Sequence, residues 1–370
     1  MNMKALAAAA TLFLTAACTF NLRPGADDAD ESAAASMKRM EIVASLTYRE
    51  RIALPADAVV RTRFDRIDES GVHRISSYDT SLDGRQVPIP LELGFRHSVS
   101  SDALLTMRSR VFLDDILLRD TGPVLLDATR RSADLGELQL FTPAQLGLDS
   151  ESADLPMPER ASGNEPGWML QIEDDHRARL VRDYGQVEDS LQILQLDREG
   201  DLVEVFARGE DTGIAATFHN HICHDSATGM PHPWHASIQT LDNGTLNGCG
   251  GSPQSLLTGA EWQIERIGDT VVPDKIRMTL LFDDENRLSG QSACNRYFAD
   301  YRLGGESLEI KQPGATLMAC AEQQMELERA FFERLPEIRH FDISADGKLL
   351  LKSAAGDSVD IVAAKPEGDA

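Results

Sequence analysis

The densest cluster of reactive side chains lies between residues 219 and 235, where five of the nine histidines fall: His219, His221, His224, His232 and His235. Cys223 sits among them. On an extended strand His219, His221 and Cys223 point to one face, and a His-x-His-x-Cys array has the softness that Zn²⁺ or Cu²⁺ accepts. The candidate metal ligands are therefore His219, His221 and His224. A competing reading oxidises Cys223, which removes the thiolate and leaves His219 and His221 to hold a transition metal only weakly. The run His224-Asp225-Ser226 has the residue types of a catalytic triad, but a triad is assembled from separate elements rather than from sequence neighbours. Asp225 and Ser226 better suit a turn, bonding nearby backbone amides. The chain has no Gly-x-Ser-x-Gly elbow, no His-Glu-x-x-His and no phosphate loop. No catalytic residue and no cofactor is expected, and the chain reads as a non-enzyme.

Directly after Cys294, the residues Asn295, Arg296 and Tyr297 make a polar-aromatic corner that is a candidate binding face. The same three also suit a turn cap, an ion pair and a ring packed at the rim. Trp168, Trp234 and Trp262 each border a motif and are expected in cores. The acidic pairs Asp114-Asp115, Asp174-Asp175 and Asp283-Asp284 lie in turn contexts and read as solvated loops, not acid/base pairs.

Cys18 carries chemistry of another kind. Lys4, an apolar run from Ala5 to Leu14 and the small residues Ala16 and Ala17 lead into it. That run is too short to span a hydrocarbon core of about 30 Å, so residues 1–17 read as a signal peptide. The cysteine at its end resembles a bacterial lipobox, which implies an acylated thiol as the mature N-terminus and the membrane as a partner through that anchor. Thr19 follows instead of the Asp that commonly retains lipoproteins in the inner membrane, so the resemblance implies the periplasmic face of the outer membrane. Four further cysteines, Cys223, Cys249, Cys294 and Cys320, form an even set in an exported chain and read as two disulfides. Three pairings are open; the sequence-local pairs Cys223–Cys249 and Cys294–Cys320 are favoured, each closing a loop of about 27 residues, for which the chain-entropy relation gives about 3.5 kcal/mol. Lys+Arg 36 against Asp+Glu 60 gives a net charge of −24, which repels phosphate backbones, so nucleic-acid binding is not expected.

Residues 18–39 hold the acidic, small-residue run ADDADESAAAS and read as a tether of roughly 25 Å root-mean-square reach. Beyond it the apolar period becomes two: Val60, Thr62 and Phe64 alternate with Arg61 and Arg63, and Val87, Ile89, Leu91, Leu93 and Phe95 with polar residues and the prolines Pro88 and Pro90. Pro88 and Pro90 point to an edge strand or a bulge, and Asp83-Gly84 to a hairpin-type turn. LTYRERIALPADAVVRTRF (46–64) and GRQVPIPLELGF (84–95) resemble the YbaY-type domain that pilotin lipoproteins of the YscW kind share, implying a β-sandwich over residues 40–128. Residues 129–160, with Pro156 and Pro158, read as a linker with a short helix near Pro143 to Leu148. GNEPGW (163–168), CHDSATG (223–229) and GCGG (248–251) resemble a periplasmic domain of unknown activity, implying a small antiparallel β domain over 161–254. Asp242-Asn243-Gly244 reads as a hairpin turn within it. Ile276, Met278, Leu280 and Phe282 alternate as a strand, and Leu327, Phe331 and Leu335 make a helical stripe that Pro336 ends. With SGQSACNRYFADY (289–301) and TLMAC (316–320), residues 256–364 resemble a META or HslJ-like domain, implying an α+β module with one helix. The expected fold class is mainly β with some α+β.

These resemblances imply a non-catalytic envelope lipoprotein with a binding or assembly role in envelope maintenance or stress tolerance, HslJ-like proteins being linked to heat shock and novobiocin resistance. Envelope proteins are the expected partners. A pilotin-like chaperone of secretion components, an inhibitor of lysozyme-type hydrolases and weak transition-metal binding through the His219–His235 cluster are the alternatives.

Overall fold

The computed structural model describes residues 37–100, 102–146, 148, 156–242, 244–353 and 358–366. Residues 1–17, expected as a signal peptide, Cys18 and most of the segment expected as a tether lie outside the described residues. The fold is mainly β, as the alternating pattern requires. Among the described residues no helix is long and apolar enough to cross a membrane.

The N-terminal part is a sandwich. Its strands are β1 (Lys38–Thr47), β2 (Val59–Asp68), β3 (Gly71–Ser81), β4 (Ile89–His97), β5 (Leu104–Leu113), β6 (Ile116–Asp120), β7 (Val124–Leu126) and β8 (Ser132–Gln139). One sheet has the order β4-β1-β8; the other runs β3-β2-β5-β6, with β7 also paired to β5. Met40, Ile42, Ala44 and Leu46, on one face of β1, pack with Ile89, Leu91 and Phe95 of β4 against Val60, Phe64, Met107 and Val111 of the facing sheet. Phe64 and Phe95 stack across the core at 4.0 Å between ring centres. Pro90 lies on edge strand β4, which pairs only with β1, where a missing N–H leaves no ladder bond unmade. Two local expectations change. Asp83 and Gly84 do make a turn with positive φ, but it carries the chain from one sheet to the other instead of joining paired strands. Residues 132–139, read as linker, form β8 and pair in parallel with β1; their alternation is broken where the register shifts at Gly136, whose φ is 61°.

The central part closes into an eight-stranded barrel. Its strands are β9 (Arg160–Asn164), β10 (Gly167–Asp174), β11 (Arg177–Arg182), β12 (Val187–Glu199), β13 (Leu202–Arg208) and β14 (Gly213–His219). A two-stranded ribbon, β15 (Cys223–His224) with β16 (Pro231–His232), precedes β17 (Trp234–Thr240) and β18 (Thr245–Gly250). The order β10-β11-β12-β13-β14-β17-β18-β9 returns to β10. Inward-pointing Trp168, Leu170, Leu180, Val205, Phe218, Trp234 and Ile238 fill the interior. Closure explains two motif glycines. A Cβ on Gly248 would lie 2.0 Å from the Ser162 carbonyl oxygen, and one on Gly163 2.3 Å from the Trp168 indole nitrogen, so only glycine lets β18 and β9 meet.

The C-terminal part is a curled antiparallel sheet of β19 (Glu261–Ile267), β20 (Thr270–Val271), β21 (Thr279–Phe282), β22 (Arg287–Gln291), β23 (Arg296–Leu303), β24 (Leu308–Ile310), β25 (Gly314–Ala315), β26 (Ile338–Ile343), β27 (Leu349–Ser353) and β28 (Val359–Ala364). Helix α1 (Glu322–Arg334) lays Leu327 and Phe331 on this sheet, and Leu335 follows in a 3₁₀ turn containing Pro336. Met230, from the loop between β15 and β16, inserts into the same core.

Candidate functional site

The barrel's outer wall is where its strands stop behaving like a free surface. Leu202, Glu204 and Phe206 of β13 point outward, because Val203, Val205 and Ala207 point in, yet all six are buried. The N-terminal sandwich covers them. Phe206, Ala215 and Leu194 join Ile67, Leu104 and Leu125 in one apolar cluster across the contact, and a bulge between Ile193 and Gln195 turns Leu194 outward to reach it. Gln239 Oε1 accepts the Leu125 amide at 2.9 Å.

At the centre of the contact is a buried ion cluster. Arg108 donates to both Asp120 oxygens at 2.9 Å and, across the interface, to Glu204 Oε2 at 3.0 Å. Arg110 and the Gly122 amide also donate to Asp120, each at 2.7 Å. Burial works against the Arg108 charge, but Glu204 and Asp120 outweigh it and push its pKa up. Burial would likewise raise Asp120, yet Arg108 and its other donors hold that carboxyl low. Glu204 is raised by burial, which Arg108 only partly opposes, and its Oε1 has no hydrogen-bond partner.

Beside this cluster the sandwich and the barrel wall enclose a cavity of about 970 Å³. Val124, Leu138, Phe141 and Leu146 form its sandwich side, while Thr217, His219, Ser237 and Gln239 project from the barrel. Its charged lining, among the described residues, is Glu137, Asp201 and Glu204, with no Lys or Arg. Three imidazoles meet at one end. His219 of β14 stands directly opposite His235 of β17 in the antiparallel register, and the tight turn after β14, in which the His221 amide donates to the His219 carbonyl, brings His221 beside both. Ring centres lie 6.2 Å apart for His219–His221, 6.3 Å for His219–His235 and 5.4 Å for His221–His235. Burial lowers the pKa of all three, that of His219 to about 4. The rings are therefore neutral near pH 7.

His224 is not part of this group, which corrects the set His219, His221 and His224. β14 ends at His219, so the strand does not continue through Cys223; His224 rides on β15 toward the C-terminal part, its Nε2 2.8 Å from Asp342 Oδ1. His235 takes its place, a residue the linear spacing passes over. No local pattern signals that pairing, because β14 and β17 meet across the intervening β15–β16 ribbon. Among the described residues no three His, Cys, Asp or Glu groups already stand at metal-ligand spacing. Asp225 accepts from the Ala227 and Thr228 amides and from Asn164, a braced turn.

Cys223 is bonded to Cys249 (S–S 1.96 Å) and Cys294 to Cys320 (2.10 Å). Cys18 lies outside the described residues. The corner after Cys294 divides between two sides. Asn295 is buried: its amide and Nδ2 donate to Glu328 at 2.8 Å each, and its Oδ1 accepts from Thr316 Oγ1 and the Met318 amide, also at 2.8 Å. Tyr297 turns into the core, donating to the Thr279 carbonyl at 2.8 Å, and burial raises its pKa. Arg296 alone faces solvent. The two-residue period leaves Asn295 and Tyr297 on the buried side and Arg296 on the other, so the three do not form one exposed face. Trp168, Trp234 and Trp262 are all core residues.

Residues 255–366 match the family model of the META domain, and residues 37–135 that of the Type III secretion system lipoprotein chaperone (YscW). Among solved structures, the chain is similar to an alternative pilotin from the type II secretion system of Vibrio cholerae, with 23% identity over 28% of this chain and 97% of that one and a TM-score of 0.25. A protein from Burkholderia xenovorans solved by NMR is 25% identical over 30% of this chain and 83% of its own, with a TM-score of 0.25. No curated protein matches the chain. The chain thus carries a YscW-like lipoprotein-chaperone domain at residues 37–135 and a META domain at residues 255–366.

Proposed function

We propose that this is a non-catalytic lipoprotein, anchored through Cys18 at the periplasmic face of the outer membrane, that binds a segment of an envelope or secretion protein. The observation that carries the reading is the cavity of about 970 Å³ between the YscW-like sandwich and the barrel. A concave, largely apolar space with a few hydroxyl and amide groups suits capture of a side-chain-rich segment, and a pilotin-like role would use it to hold part of a secretion component. The missing Lys and Arg in its lining argue against an anionic client. The META module and the Cys294–Cys320 bond support a stable scaffold in an oxidising compartment.

A photoreactive amino acid placed at Thr217, inside the cavity, tests this against the same label at exposed Arg177 on β11. Enrichment of one envelope protein at Thr217 alone, together with loss of that protein's binding when Thr217→Trp intrudes into the space, is the expected result. Equal capture at both positions, or undiminished binding in Thr217→Trp, would rule the cavity out as the binding site. Mass spectrometry of the mature N-terminus checks the anchor: a diacylglyceryl cysteine is expected, and an unmodified start refutes it.

A further inference from the structure

The imidazole cluster at the end of the cavity has a chemistry that client binding does not need. We propose that His219, His221 and His235 bind one divalent transition-metal ion, of the Zn²⁺ class, at the barrel wall. Three observations carry it. The first is placement: two of the rings come from directly opposed positions on β14 and β17, and the third from the turn that ends β14, so the backbone of a closed barrel fixes their roots.

The second is distance. An imidazole-bound Zn²⁺ sits about 2.0–2.1 Å from nitrogen, which puts each ring centre about 3.2 Å from the ion and neighbouring centres about 5.2 Å apart in tetrahedral geometry. The observed 5.4, 6.2 and 6.3 Å exceed this by up to about 1 Å, and the His221 and His235 rings lie nearly parallel at 11°, so ligation requires at least one of these two rings to rotate until the three nitrogens converge. The rings are thus grouped slightly wider than ligand spacing, in keeping with the absence of a preformed site among the described residues.

The third is electrostatic. A divalent cation needs neutral imidazoles and no competing positive charge at the site, and no Lys or Arg lines the cavity among the described residues. The charged lining of the same cavity, among the described residues, is Glu137, Asp201 and Glu204; Glu204 is already bonded to Arg108, so Glu137 and Asp201 are the groups that favour a cation. The Cys223–Cys249 bond removes any thiolate, so the set is three imidazoles with a fourth position open to the cavity.

The test uses chelator-treated, oxidised mature protein titrated with Zn²⁺ by calorimetry, and with Co²⁺ by visible absorption. One equivalent of Zn²⁺ with a raised melting temperature is expected, together with the intense d–d bands of tetrahedral Co²⁺. His235→Gln and His219→Gln should each weaken binding at least tenfold, while His224→Gln leaves it unchanged. Far-UV circular dichroism of the variants separates lost ligation from lost folding, and His221→Gln, on a turn outside the ladder, gives a third variant for the same comparison. Absence of a one-equivalent isotherm, octahedral Co²⁺ spectra, or undiminished affinity in His235→Gln overturns the proposal. Metal binding is read on isolated protein, so it stands or fails independently of any client.

Discussion

Replacing Arg108 by Met tests whether the buried ion cluster holds the sandwich to the barrel. The change leaves Glu204 Oε2 without its donor, and both Glu204 oxygens are then unpaired in a buried setting. Asp120 keeps Arg110 and the Gly122 amide, each at 2.7 Å, so it is only partly stripped. Breaking a buried ion pair by removing one partner costs about 3–5 kcal/mol; with Asp120 still served, the lower end, about 3 kcal/mol, applies. For a unit of about 200 residues that corresponds to a fall of roughly 6–12 °C in Tm. Differential scanning calorimetry of oxidised protein measures it, with the sandwich–barrel transition tracked separately from that of the C-terminal part. The companion variant Arg108→Met/Glu204→Leu removes the stranded carboxylate as well, and should recover most of the loss because no unpaired charge remains at the contact. A single variant that melts within 1 °C of wild type, or a double variant less stable than the single, would refute the reasoning.

Acidification should loosen the same contact. His219, His221 and His235 have folded pKa values below the 6.5 of the free side chain, that of His219 at about 4, so their contribution is complete above pH 6.5 and is lost as pH falls toward 4. His219 alone accounts for about 3 kcal/mol of that; a His219→Gln/His221→Gln/His235→Gln variant should show a flatter Tm profile between pH 6.5 and 4, and an unchanged profile refutes the assignment. Phe331→Ala empties the fully buried anchor of α1 and should cost about 3–5 kcal/mol, visible as a lowered calorimetric transition of the C-terminal part. Asn295→Ala removes the side chain that joins the loop at Thr316–Met318 to Glu328. A loss of about 2–4 kcal/mol with faster hydrogen exchange at the Met318 amide is expected, and unchanged exchange would show that the loop is held otherwise.

Much of the fold is local enough to read from the chain. Val60, Thr62 and Phe64 announce β2 because one face of a sandwich strand is dry and the other wet, and Leu327, Phe331 and Leu335 announce α1 because only its inner stripe is buried. Pro90 marks an edge because it has no proton to donate. The candidate site is a different matter. His219 and His221 are adjacent in any reading, but Glu204, Arg108 and Asp120 look like ordinary surface residues on alternating strands; nothing in their neighbours says that another sheet will cover them.

The sequence by itself determined the strand period, the lone stripe of α1, the small residues leading to Cys18 and the acidity of the chain, since each depends on side chains a few positions apart. Tertiary structure alone decided that β18 meets β9 and shuts the barrel, that β8 joins β1, and that His235 instead of His224 stands with His219. Those outcomes bring together residues far apart along the chain through backbone hydrogen bonds; motif glycines such as Gly163 and Gly248 permit a close approach but do not name the partner strand. Only the sum of packing over the whole molecule selects among them.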